Sequence, residues 1–171
     1  MSKIRQITLL SMFTAIALTI FVVESAIPVP VPIPGVKLGL ANIITLILLL
    51  HWNFKSALIV LVMRIILGSI FAGQMITFFY SLAGGLFCLI TMYLTHKILK
   101  QKLIWFTSIM GAIAHNIGQI LAALIILRSA YVLYYLPFLM VSGIITGFFT
   151  GLCAGLLSNR FPYLKKLYPK D

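Results

Sequence analysis

The run from Ser56 to Gly73, SALIVLVMRIILGSIFAG, decides how this chain folds. Arg64 is its only charged side chain. A stretch of about 18 residues with so few charges is long enough to cross the hydrocarbon core of a bilayer as an α-helix. Reading outward in both directions, further apolar runs bounded by charges or turn residues predict helices over 6–26, 38–52, 56–73, 75–96, 104–127 and 136–158, the second of them short. The 171 residues are 62% hydrophobic, and the mean hydropathy is +1.15. Soluble domains hold about 45–50% apolar residues, so this chain has too few polar side chains to cover a water-facing surface. No Pro/Gly/Ser-rich or charge-rich stretch divides it. The expectation is an all-α integral membrane protein, one transmembrane domain over 1–171 built as a six-transmembrane-helix bundle.

The charge pattern points the same way. Thirteen Lys and Arg give a net charge of +11, but they lie between apolar runs and are not interleaved with aromatics on one polar face. That excludes a nucleic-acid footprint and marks a positive-inside bias, with the lipid bilayer and its anionic headgroups as the partner. With six crossings and the N-terminus inside, Lys3, Arg5, Lys55, Lys97, Lys100, Lys102, Arg160, Lys165, Lys166 and Lys170 fall on the cytoplasmic side, and only Lys37 and Arg128 fall outside. Both termini are then cytoplasmic. Trp52, Trp105, Tyr134 and Tyr135 lie near predicted helix ends, where interface anchors belong. Lys3 and Arg5 before an apolar stretch, with Val23-Glu24-Ser25 after it, imitate a secretory signal, but the stretch is too long for one and more spans follow. A retained first helix is expected. Between the first two helices, Pro28-Val29-Pro30-Val31-Pro32-Ile33-Pro34-Gly35 removes amide donors and favours extended backbone, which predicts a stiff extracellular cap.

The acids exclude several functions. Glu24 and Asp171 are the only carboxylate side chains, so paired-acid catalysis and a metal-bound diphosphate site built on Asp-rich clusters are both ruled out. No Gly-rich P-loop with a Lys-Ser/Thr ending occurs. Cys88 and Cys153 sit inside apolar runs and read as small core residues, not as metal ligands or a disulfide. No enzyme activity, cofactor or metal is expected.

A few polar side chains nevertheless lie at membrane depth. Arg64 is near the middle of its run, where an unpaired cation costs at least about 2.5–3.5 kcal/mol on insertion scales. It must face the bundle interior, either as a counter-charge for an anionic substrate or as the structural partner of Glu24 on helix one. In the fifth run, His115, Asn116 and Gln119 cluster at helical spacing, either lining a ligand site or joining helices by hydrogen bonds. Gly143, Gly147, Gly151 and Gly155 recur every four residues and let another backbone approach closely, within the molecule or in another subunit. Ser11 and Ala15 make a shorter small-xxx-small pair, extended by Ala17.

The segments Glu24-Ser25-Ala26-Ile27-Pro28, Pro32-Ile33-Pro34-Gly35-Val36-Lys37-Leu38-Gly39-Leu40-Ala41-Asn42-Ile43 and Ala114-His115-Asn116-Ile117-Gly118-Gln119 resemble the Gx transporter family, also named heptaprenyl diphosphate synthase component I. That family is similar in turn to the substrate-binding S components of energy-coupling factor (ECF) transporters. The resemblance implies an S-component-like fold in a bacterial cytoplasmic membrane, capturing a small molecule from outside under the cap between helices one and two. It further implies that Ser11 and Ala15 dock on a transmembrane coupling subunit driven by ATP-binding cassette ATPases, although Ser11 stands where the usual pattern has Ala. The small-molecule substrate is expected to be anionic or amphiphilic, such as a flavin, vitamin or isoprenoid or quinone precursor. Arg64, His115, Asn116 and Gln119 would line its site, with Asn42 and Lys37 near the mouth. The alternatives are a non-catalytic membrane accessory or anchor for a prenyl diphosphate synthase, and a self-energised carrier with Glu24 as its one intramembrane carboxylate.

Overall fold

The computed structural model describes residues 3–26, 37–73, 75–99 and 103–160. The elements of the described part are all helical: α1 (Lys3–Ser25), α2 (Asn42–His51), α3 (Phe54–Ala72), α4 (Met75–Leu99), α5 (Ile104–Leu127), a 3-10 turn (Ala130–Tyr135) and α6 (Leu136–Arg160). The boundaries have local causes. Asn53 caps α3 by accepting a hydrogen bond from the Ser56 amide at 2.8 Å, and Gly73 closes that helix in the left-handed region at φ 64°. The proline-rich stretch expected as a cap lies outside the described residues.

Large apolar side chains stand exposed along every long helix, among them Ile7, Phe71, Ile98, Ile125 and Phe149. A surface of that kind suits lipid and not water. Among the described residues, five helical segments are long and apolar enough to cross a membrane: Lys3–Ser25, Phe54–Ala72, Met75–Leu99, Ile104–Leu127 and Ala130–Arg160.

The remaining helix, expected over 38–52, is shorter than read and is not among those five. α2 holds only 10 residues, a length of about 15 Å at 1.5 Å per residue, roughly half of the ~30 Å hydrocarbon core. Residues 37–41 do not join the helix, because Gly39 takes φ 82° and the Asn42 amide donates back to the Gly39 carbonyl at 3.0 Å. Every α2 residue except Ile43 is buried, and the helix touches all five of the others. A helix apolar on all sides is an interior helix, and α2 is the axis of the bundle. α1 packs on α3, while α3, α4, α5 and α6 follow one another around it. Trp52, just past its end, is corrected in turn. It is 1% exposed and stacks edge-on against Phe13 at 5.0 Å, so it is a core residue and not an interface anchor. Trp105 and Tyr134 do stay exposed, and Tyr135 is half-buried.

The glycine stripe of α6 faces α5. A Cβ at Gly147 would lie 2.8 Å from Ile109 Cα and one at Gly151 would lie 2.6 Å from Trp105 Cα, whereas a Cβ at Gly155 would meet nothing within 4 Å. The Ser108 and Thr150 hydroxyls bond across the same contact at 2.9 Å. Three of the four glycines thus serve an internal seam, and Gly155 lies beyond its end.

Gly151→Ala is therefore expected to destabilise the bundle by about 1–3 kcal/mol, the usual cost of overpacking. Gly155→Ala is expected to be neutral or stabilising by up to about 1 kcal/mol through helix propensity. Thermal unfolding of both variants in the same detergent checks the contrast.

Candidate functional site

The non-helical segment 37–41 enters the bundle where α1, α3, α4 and α5 meet, and its backbone needs partners. Glu24, buried near the end of α1, accepts hydrogen bonds from the Gly39 amide at 2.5 Å and the Ala41 amide at 3.3 Å. Its carboxylate thereby holds the backbone that leads into α2 and lies near the positive end of that helix's dipole.

Gln119, fully buried on α5, brackets the other end of the segment. With its amide oriented to satisfy its neighbours, it donates to the Lys37 carbonyl at 3.0 Å and accepts from the Lys37 amide at 3.2 Å and from His115 Nε2 at 3.1 Å. With its proton on Nε2, His115 is left to accept at Nδ1, where Asn42 Nδ2 approaches to 3.2 Å. Arg64 then donates to Asn42 Oδ1 at 3.2 Å. The donors run in one direction, from Arg64 through Asn42, His115 and Gln119 to the Lys37 carbonyl. In such a chain each bond polarises the next.

Two glycines make room for the imidazole. A Cβ at Gly39 would fall 2.9 Å from His115 Cδ2, and one at Gly84 would fall 2.9 Å from His115 and from Gln119 Cγ. The ring is held between the 37–41 segment and α4. On the α1 side, Lys37 Nζ lies 3.3 Å from the centre of the Phe21 ring and donates to Ser25 Oγ, and the Arg64 guanidinium stands 6.0 Å from the same ring. Both cations thus stand near one aromatic ring.

Of the residues singled out in the sequence, Arg64, Asn42, His115 and Gln119 are brought into one network, with Lys37 joined through its backbone. Asn42 is buried inside the network and not at a mouth. Asn116 turns away, donating to the Leu139 carbonyl at 2.5 Å across the gap left by Gly143. Glu24 and Arg64 attract each other through space, but among the described residues no direct ion pair joins them. Each is bonded through the α2 end instead, Glu24 to backbone amides and Arg64 to Asn42. Three buried polar atoms have no partner among the described residues: Arg64 Nε, Asn116 Oδ1 and the Tyr80 hydroxyl. Ser11 and Ala15 lie on the exposed face of α1, apart from this network.

Sequence reading missed Phe21, Tyr80, Gly39 and Gly84. The consecutive Gly84 and Gly85 inside a helical run were the available signal, since glycine weakens a helix unless something must come close.

The family model described as heptaprenyl diphosphate synthase component I matches residues 13–157. The chain belongs to the heptaprenyl diphosphate synthase component I family. The matched span holds the whole network from Glu24 to Gln119 and leaves Ser11 outside. No curated protein and no solved structure matches this chain.

The network also generates two measurable expectations. Asn42→Leu removes both bridging bonds and leaves Arg64 and His115 unsatisfied, so it is expected to cost about 2–3 kcal/mol of stability, read by denaturation in detergent. Burial, partly offset by Glu24 and reinforced by Arg64, pushes the Lys37 pKa from 10.5 down to about 8. Between those two pH values the unfolded chain holds a proton that the folded chain has released, so this group makes stability rise with pH. Lys37→Met is expected to flatten that rise in unfolding curves taken across the same window.

Proposed function

We propose that this chain is a membrane-embedded substrate-binding subunit, S-component-like, of an ECF-type transporter. The observation that carries the reading is the buried network at the start of a half-length helix, where Arg64 and Lys37 face the single carboxylate of Glu24. Half-length helices with polar residues at their ends suit solute binding inside a bilayer, where intramembrane ionisable groups are functional by default. The positive excess selects an anionic or amphiphilic small molecule, a flavin, vitamin or isoprenoid precursor among them. Arg64 Nε is the buried polar atom of the network left for it.

In this reading the charge bias puts the Glu24 end of α1 outside a bacterial cytoplasmic membrane, with both termini inside. The exposed Ser11 and Ala15 supply a face on which a coupling subunit and its ATP-binding cassette ATPases dock. In this reading the chain binds its substrate and catalyses no reaction on it. The family description supports a second reading, because a component works with another subunit: a non-catalytic membrane anchor for a prenyl diphosphate synthase.

Purification from native membranes with mass spectrometry of co-eluting proteins and small molecules tests both. Recovery of ATP-binding cassette ATPases together with a small molecule whose retention falls at least tenfold in Arg64→Ala is expected. Recovery of a soluble prenyl synthase without an ATPase would replace the first reading by the second. Undiminished retention in Arg64→Ala would remove Arg64 from the site.

A further inference from the structure

The charges gathered at the Phe21 ring can be counted. Lys37 and Arg64 each bring one positive charge, and Glu24 brings one negative. Both Glu24 oxygens accept from backbone amides, Oε1 from Gly39 and Oε2 from Ala41, as an ionised carboxylate does. His115 adds nothing, since its one proton sits on Nε2 for Gln119 and its Nδ1 accepts from Asn42. The charges that act on Lys37 through space are Glu24 and Arg64, and the sequence over 27–36 holds no charged residue. One positive charge is therefore left over, in a region where Arg64 is 3% exposed and Lys37 is half-buried. An uncompensated charge at such depth is costly.

A solute of one negative charge cancels that excess. A phosphate monoester, at about −1.5 to −2 near pH 7, would turn it into an excess of the other sign, and a diphosphate would carry it further. The open donors set the same limit. Asn42, His115 and Gln119 bond one another, the Arg64 guanidinium and the Lys37 backbone. The donors shown to be open are Arg64 Nε, buried with no partner among the described residues, and the N–H groups of Lys37 beyond the one given to Ser25. Two such groups suit the two oxygens of a carboxylate. The three or more terminal oxygens of a phosphate head would leave acceptors bare, and a buried acceptor left unpaired costs free energy. The ring between the two cations is fixed by α3, where a Cβ at Gly68 would fall 2.6 Å from Phe21 Cε1.

We propose that the bound solute is a carboxylate with a single negative charge, received by Lys37 and Arg64 beside the Phe21 ring, and that phosphorylated solutes are rejected. The proposal rests on the substrate-binding reading above and narrows its ligand to one chemical class. Lys37 is the less buried of the two cations and meets the carboxylate first.

The test uses the full chain in phosphatidylcholine nanodiscs and follows thermal unfolding as each probe is titrated, since a solute that binds the folded state raises the midpoint. One series shares a ring: benzamide, benzoate and phenyl phosphate. The other shares an isoprenoid chain: farnesol, farnesoate and farnesyl diphosphate. In at least one series the carboxylate is expected to bind at least tenfold more tightly than both its neutral and its phosphorylated counterpart. Lys37→Met cancels the excess charge and is expected to bring the carboxylate within threefold of the neutral member, whereas Arg128→Gln, which also removes one cation, is expected to leave the preference intact. Burial lowers the Lys37 pKa to about 8, so raising the pH from about 7 to about 9.5 is expected to weaken carboxylate binding in the wild type and not in Lys37→Met. Tightest binding by a phosphorylated or a neutral member would overturn the carboxylate assignment and leave the substrate-binding reading standing. No binding by any of the six would overturn the proposal, and the small molecules recovered from native membranes then decide that reading separately.

Discussion

Backbone amides in hydrocarbon have no water to turn to, and leaving one without a partner costs several kcal/mol. Residues 37–41 place such amides inside the bundle outside any helix. The polar residues of four helices are arranged around that constraint. Glu24 answers the amides of Gly39 and Ala41, Gln119 answers both backbone groups of Lys37, and His115 and Asn42 link Gln119 to Arg64. Remove that demand and nothing would require a carboxylate, an amide and an imidazole to meet between helices that otherwise present apolar faces.

The structural and ligand-binding readings of these side chains are therefore not rivals. Most of the hydrogen-bonding capacity of Gln119, Asn42 and His115 is used within the protein, which fixes their orientation. Electrostatic surplus remains: two cations around the Phe21 ring against one carboxylate that is already engaged by amides. A preorganised network with unbalanced charge is a better receptor for an anion than loose polar groups would be, because its ordering is complete before the ligand arrives.

The half-length α2 places the polar network, which gathers at its start. Close packing elsewhere holds the frame: the Gly143, Gly147 and Gly151 seam draws α6 onto α5, and Gly118 lets α5 approach the α4 backbone, where a Cβ would lie 2.8 Å from the Ala83 carbonyl oxygen. Small residues do this work in membranes because dispersion contacts replace a hydrophobic driving force that lipid does not provide.

What the residues settled alone is the class of protein and its long helices, since run length and hydropathy are local sums that need no knowledge of neighbours. The absence of paired acids, and hence of acid-pair chemistry, was equally a matter of counting. The interior position of Arg64 was legible too, because a lone cation in an apolar run has nowhere else to go. The tertiary structure alone decided that 38–41 is not helix, that Trp52 is core, that Asn116 faces α6 while His115 faces α2, and that Arg64 answers Asn42 and not Glu24 directly. Those outcomes depend on how helices rotate and how deep each one sits, and helical periodicity records which residues share a face without saying what that face will meet.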